Sequence, residues 1–242
     1  MRKSTIAAVI AATAATSACG HHRSEAPGPT VSRNYQVGNF DKIEVAGPYN
    51  VQVRTGASPS VSARGGEKMI EHLVVEVRGD KLLIHPEEHH GFFNFGWHFN
   101  GKVDVAVTVP QLNGAMIAGS GDINVDQVKG DRFEGTVAGS GDLGVGALDV
   151  QSLKLSIAGS GDAKAGAGKS QSAEYEIAGS GGIDAGAVQT RQAKVSIAGS
   201  GSVKAHSSGT ADVSIMGSGD VDVAGGAKCN ISKAGSGSVR CS

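Results

Sequence analysis

The chain has 242 residues, 37 of them glycine, with 22 Lys and Arg against 23 Asp and Glu, 39% hydrophobic residues and only 4% aromatic ones. Glycine stands at about twice its usual share of roughly 7%, which calls for a backbone reason, while the balanced charge excludes a basic reader of nucleic acid. The apolar fraction is enough for a buried core in one or two domains, but the scarcity of large side chains argues against a helical core built on them.

Arg2 and Lys3 precede the apolar run Ile6 to Ala15, which is too short to cross a bilayer and has the form of an export signal. The run ends in Thr16-Ser17-Ala18-Cys19-Gly20. This is similar to a bacterial lipoprotein signal, in which small residues precede a cysteine that becomes the lipidated (palmitate-bearing) N-terminus. Thr16 stands where such signals usually carry leucine, so ordinary cleavage after an Ala-x-Ala-like site is the alternative. The segment thus divides into a signal peptide over 1–18 and, over 19–32, a lipidated Cys19 with a flexible tether that holds Pro27 and Pro29 and no apolar periodicity. Several acyl chains, at about 0.8 kcal/mol per buried methylene, would hold the folded part at a membrane permanently. Gly20 after the cysteine, in place of aspartate, resembles the outer-membrane-directed class of Gram-negative lipoproteins. The location expected is therefore the cell envelope, at the outer membrane, facing either the periplasm or the surface.

Residues 33–242 read as one domain. Over 33–113 apolar and polar residues alternate in irregular strands, seen in Ile43/Val45, Val51/Val53, Val75/Val77, Leu83 and Val103/Val105/Val107/Val109. Glu67 to Leu73 suits one short helical turn. Between Ile84 and Lys102 lies an eccentric segment rich in His and Phe: His85, His89, His90, Phe92, Phe93, Phe95, Trp97, His98 and Phe99. Two roles are open to it over 85–100. Its aromatics fold back as a cap on an open sheet end, or they form an exposed patch that binds protein, glycan or another ligand. The histidines with Glu87 and Glu88 are of metal-ligand type, but no spacing fixes them on one face and no metal site is assigned.

Over 114–242 the motif Ala-Gly-Ser-Gly begins at Ala118, Ala138, Ala158, Ala178 and Ala198, then recurs from Met216 and Ala234, at intervals of 20, 20, 20, 20, 18 and 18 residues. A period near 20 is one coil of a parallel β-solenoid. Aligned copies give an inward column of Ile117, Val137, Ile157, Ile177, Ile197 and Ile215, ending in Lys233. Two more follow the corner: Ile123 through Val239, and Val125 through Cys241. The corner glycines supply positive φ and close approach between coils. The fold class is therefore all-β, a right-handed parallel β-helix, or solenoid, with an irregular β part before it. A rod of strands needs both ends covered. Cys229 and Cys241, the pair left once Cys19 is assigned to lipid, are a disulfide candidate in the last coil, with two free thiols as the alternative.

The stretches Phe40 to Val45, Gly79 to Ile84 and Val105 to Pro110, followed by the Gly-Ser-Gly coils, resemble the autotransporter adhesin head GIN domain family over nearly all of residues 33–242. That resemblance implies a β-solenoid on bacterial surface or periplasmic proteins, mostly lipoproteins, with an adhesin role and no catalytic residues.

Chemistry elsewhere is sparse. Corner aspartates Asp122, Asp142, Asp162 and Asp220 invite a calcium reading, yet the equivalents Gly182, Ser202 and Ser238 interrupt any ion ladder. Asp and Ser exchange freely where a side chain accepts turn N–H groups, which is the expectation here. An enzyme acting on polysaccharides would need paired carboxylates, and the coils offer only Glu174, Glu176 and Asp184 among Ser, Ala and Gly. The expected function is a noncatalytic envelope lipoprotein, a scaffold or adhesin-like binding module with no cofactor, a membrane contact through its lipid, glycan or protein as ligand, and no nucleic acid. The alternative is a periplasmic ligand or metal binder acting through 85–100.

Overall fold

The structure is a computed structural model that describes residues 28–87 and 102–242. In chain order the strands are β1 (Thr30–Tyr35), β2 (Lys42–Ala46), β3 (Tyr49–Thr55), β4 (Ser60–Gly66), β5 (Leu73–Arg78), β6 (Lys81–Pro86), β7 (Val103–Val109) and β8 (Gly114–Gly119). Then come β9 (Asp122–Gly139), β10 (Leu143–Gly159), β11 (Asp162–Gly179), β12 (Gly182–Gly199), β13 (Ser202–Gly217), β14 (Asp220–Ala224), β15 (Lys228–Ala234) and β16 (Ser238–Cys241). One short helix, α1 (Glu67–Glu71), falls where the helical turn was expected.

From β9 onward the molecule is a parallel β-solenoid. Successive coils pair in register 20 residues apart, with Ile157 opposite Val137 and Ile177, and Ile177 opposite Ile197. Ile157, Ile177 and Ile197 are 2%, 3% and 3% exposed. Like thus stacks on like along a dry spine, and each such isoleucine contributes roughly 1.5–3 kcal/mol of burial. The last two coils are two residues shorter, and β13 absorbs the deletion as register shifts against β12 between Asp184 and Gln189 and between Thr190 and Gln192.

The two corner glycines divide the work. Gly159 has φ of 136°, which a Cβ would strain, and every equivalent first glycine shares that conformation. The second glycine, Gly161, has no positive φ, but a methyl there would drive into the Gly141 carbonyl oxygen of the preceding coil. Only the first glycine supplies a left-handed turn; the second supplies clearance.

The amino-terminal part is more regular than expected. β2 pairs in parallel with β8, and β3 with the start of β9, setting Val45 opposite Ile117 and Val51 opposite Ile123. Ala46-Gly47 therefore stacks on Ala118-Gly119 as one more corner, with the Gly47 N–H donating to the Ala118 carbonyl at 3.0 Å. β6 and β7 lie on β2 and β3 in the same parallel sense, so chain order is not stacking order. Antiparallel partners then finish this end: β5 on β6, β4 on β7, and β1 on β4. β1 begins at Thr30, so the last three residues of the stretch expected to be tether are strand. Met69 and Ile70 of α1 join the single apolar cluster.

Candidate binding surface

Each coil turns at its Gly-Ser-Gly corner, and pairing lapses again near Gly146 and Gln151, so the outward side chains fall into three strips. On the first, each corner aspartate bonds across coils. Asp122 Oδ1 accepts the Asp142 N–H at 3.0 Å, Asp142 Oδ1 that of Asp162 at 3.0 Å, and Asp162 Oδ1 that of Gly182 at 2.7 Å. Where Gly182 and Ser202 carry no carboxylate, the next amides turn to backbone, Ser202 N to Gly181 O at 3.2 Å and Asp220 N to Gly201 O at 3.1 Å. Asp220 accepts both the amide and the hydroxyl of Ser238, which hold its carboxyl below the usual carboxylate range. The corner aspartates are thus hydrogen-bond acceptors, reaching the next coil instead of their own turn.

The third strip, on the strands leading into the corner, carries a charge network. Lys194 Nζ lies 2.7 Å from Glu174 Oε1, while Lys154 Nζ lies 3.4 Å from Glu174 Oε2 and 3.0 Å from Glu176 Oε2. Ser156 Oγ donates to Glu176 at 3.1 Å. The hydrogen bond from Lys194 lowers the Glu174 carboxyl below its ordinary value, and the one to Glu176 raises Lys154. Glu174 and Glu176 are therefore bound to lysines, and Asp184 sits apart on the first strip, in register with Lys164 and Lys204. No pair of free carboxylates arises from these three residues.

Beside the network runs a shallow cleft of about 440 Å³, lined by Ser156, Ala158, Glu176, Ala178, Ser196 and Met216 among others. A second, about 420 Å³, crosses the middle strip over Ala147, Ala167 and Ala187 between Lys129, Asp149 and Lys169. Both have a floor of small residues and walls repeated from coil to coil, a form suited to an extended ligand.

Of the residues singled out in the sequence, Cys19 lies outside the described residues, as do His89, His90, Phe92, Phe93, Phe95, Trp97, His98 and Phe99. His85 is described. It is on β6, with Nε2 3.3 Å from Glu76 Oε1 and Nδ1 2.8 Å from the Pro86 carbonyl oxygen. β6 ends at Pro86 and β7 begins at Val103, and these two strands pair with β2 and β3 of the adjoining coil. Among the described residues no group of His, Cys, Asp and Glu is arranged to hold a metal ion, and no helix is long and apolar enough to cross a membrane. Cys229 and Cys241 are joined in a disulfide. They do not both point into a dry interior as the columns implied: Cys241 is exposed and Cys229 half-buried, with no coil among the described residues stacked on them.

The charge network was not foreseen. Its signal was a column alternating in sign, Glu134, Lys154, Glu174, Lys194, Asp212, visible once the copies are aligned.

Solved structures of bacterial proteins share this fold. A "putative adhesin" of Bacteroides fragilis superposes with a TM-score of 0.80 at 23% identity, covering 90% of this chain and 100% of that one. A "putative lipid binding protein" of Parabacteroides distasonis gives 0.70 at 25% identity over 89% of this chain and 97% of its own. A "putative adhesin" of Parabacteroides merdae gives 0.67 at 20% over 89% and 97%. No functionally curated protein matches the chain. The family model described as "Putative auto-transporter adhesin, head GIN domain" matches residues 39–227, and with the coils, corners and amino-terminal strands all falling within or beside that span, the chain belongs to that family.

Proposed function

We propose that the protein is an exported, noncatalytic envelope module, held to the outer membrane through a lipidated Cys19, whose solenoid strips serve as an adhesive surface for an extended ligand. The observation that carries this is the cleft beside the charge network, in which Ser156, Glu176 and Ser196 recur above the alanine row Ala158, Ala178, Ala198. Neighbouring strands lie about 4.8 Å apart, so such a surface offers many equivalent weak contacts to a chain-like glycan or extended peptide. Membership of an adhesin family and the lysine-bound state of Glu174 and Glu176 support a binding role over a hydrolytic one.

The test uses the full chain on beads, exposed to a panel of bacterial and host surface polysaccharides and proteins, with Ser156→Lys/Ser196→Lys as the blocked cleft. Retention by wild type and at least a tenfold loss in the blocked variant are expected, together with membrane fractionation that Cys19→Ser abolishes. Release of cleavage products, or equal retention by the blocked variant with loss only on deleting 89–100, would overturn the proposal in favour of an enzyme or of a binder acting through that segment.

A further inference from the structure

We propose that the strip following the corner, over β11 to β14, is an interface for a second copy of this chain, with Lys164, Asp184, Lys204 and Asp222 as its contact row. These four stand in register on successive coils and alternate in sign. A row that alternates over an even number of places is complementary to its own reverse. A second rod, turned about a two-fold axis that runs along the strands between β12 and β13, sets Lys164 against Asp222 and Asp184 against Lys204, and each of these pairs occurs twice. Both rods keep the same coil spacing of about 4.8 Å, so all four pairs meet in step.

The charges of this row are little used within the chain. Among the described residues Lys164, Asp184 and Lys204 make no ion pair, Asp184 accepts only the Gly186 N–H at 3.4 Å, and Asp222 has Arg240 at 3.7 Å. The other alternating row is spent internally, since Lys154 and Lys194 already bind Glu174. The two lysines are exposed and the two aspartates half-buried, so each long side chain of one row meets a short one of the other. The flanking positions let the faces approach. Gly182 and Ser202, which interrupt the row of corner aspartates, lie on the two coils beside the axis. Gly186 has no positive φ, and a Cβ there would meet nothing closer than 3.7 Å, so the packing of its own chain does not call for glycine; it comes opposite His206 of the second copy, where it leaves room. Asp162 and Asp220 oppose each other at a cost. Both carboxylates, however, reach along the rod to amides of the next coil, and faces about 10 Å apart hold two short side chains from contact where a lysine spans the gap. Four coils make a patch roughly 20 Å long, short of the ~800 Å² per partner of a standard interface, so the dimer is weak, reversible and sensitive to salt. The two rods run in opposite senses, as chains held at facing membranes would; only that use of the pair, not the pairing itself, rests on the tether proposed above.

The experiment is sedimentation equilibrium on the exported chain carrying Cys19→Ser, up to near-millimolar concentration in low and in high salt, for this parent, for Asp184→Lys, for Lys204→Asp and for an equimolar mixture of the two variants. The parent is expected to form a reversible dimer that weakens at least tenfold in high salt. Each variant alone sets like charges opposite each other and is expected to stay monomeric. In the mixture every lysine in the row of one variant meets an aspartate of the other, and the dimer is expected to return. A parent that stays monomeric in low salt, a single variant that dimerises as tightly as the parent and so pairs through another face, or a mixture no more associated than its components would overturn the proposal. Should either variant not fold, Lys164→Glu reverses the outer pairs instead; a dimer at least tenfold weaker is expected, and an undiminished one overturns.

Discussion

Tyr175 shows how one side chain can be large in an interior of repeated small ones. It is fully buried, and its hydroxyl meets no hydrogen-bond partner among the described residues; burial pushes the phenol far above its ordinary pKa. Its coil carries Ala163, Ala165, Ser170 and Ala173 where the preceding coil has Leu143, Val145, Val150 and Leu153, so the ring volume is offset within one cross-section. Tyr175→Phe keeps the ring and removes the unpaired hydroxyl. It is expected to raise stability by about 1 kcal/mol, seen as a higher urea midpoint at unchanged slope, whereas a loss would show that the hydroxyl is bonded. A related feature was illegible in the sequence: the inward column Val150, Ser170, Thr190, Ser207 turns polar yet stays buried. Thr190 Oγ1 donates to the His206 carbonyl at 2.6 Å, and the Ser207 hydroxyl donates to the Thr210 carbonyl at 2.9 Å. Small hydroxyls that bond the backbone of their own rod pass for surface residues when only hydrophobicity is read.

Between coils, the apolar columns say that like stacks on like but do not say which coil follows which, since a slip of one whole repeat would match them nearly as well. The outward columns supply the missing order. Lys164, Asp184, Lys204, Asp222 and Arg240 alternate in sign, as does the column through Glu174, so a one-coil slip would set like charges opposite. These groups face solvent, and their contribution is small and screened by salt. The lowered Glu174 carboxyl gives stability that is present above its ordinary value of 4.5 and is lost as pH falls through its lower folded value. The raised Lys154 and Lys194 give stability that is complete below 10.5 and is lost as pH rises through their higher folded values. The melting-temperature difference between wild type and Glu174→Gln is therefore expected to be constant from about pH 6 to 9, to shrink toward zero in acid below the carboxylate range, and to diminish in high salt. A difference unchanged in acid would show that packing, not charge, sets it. The coils and corners were legible because glycine recurs at a fixed interval and inward positions keep one chemical type. The first coil was not, because Pro48 and Tyr49 replace Ser-Gly after Ala46-Gly47 and β4 to β7 intervene before the repeat resumes.

A rod in which each coil touches only its neighbours is stabilised locally, so its ends set where unfolding begins. At the amino-terminal end α1 and three antiparallel strands add side-chain cover. At the other, the Cys229–Cys241 bridge, spanning 12 residues, ties β15 to β16 where Cys241 is exposed. A closed loop of that length contributes about 3 kcal/mol by the chain-entropy relation, though the division between entropy and enthalpy depends on the model used. Cys229→Ser/Cys241→Ser is expected to lose about that much, and the loss should stay near the end. In hydrogen exchange the amides of β14, β15 and β16 would open by up to a hundredfold more, while those of β10 and β11, several coils away, would keep their protection. Equal acceleration along the whole rod would mean that the spine unfolds as one cooperative unit, and that the bridge stabilises every coil rather than the last.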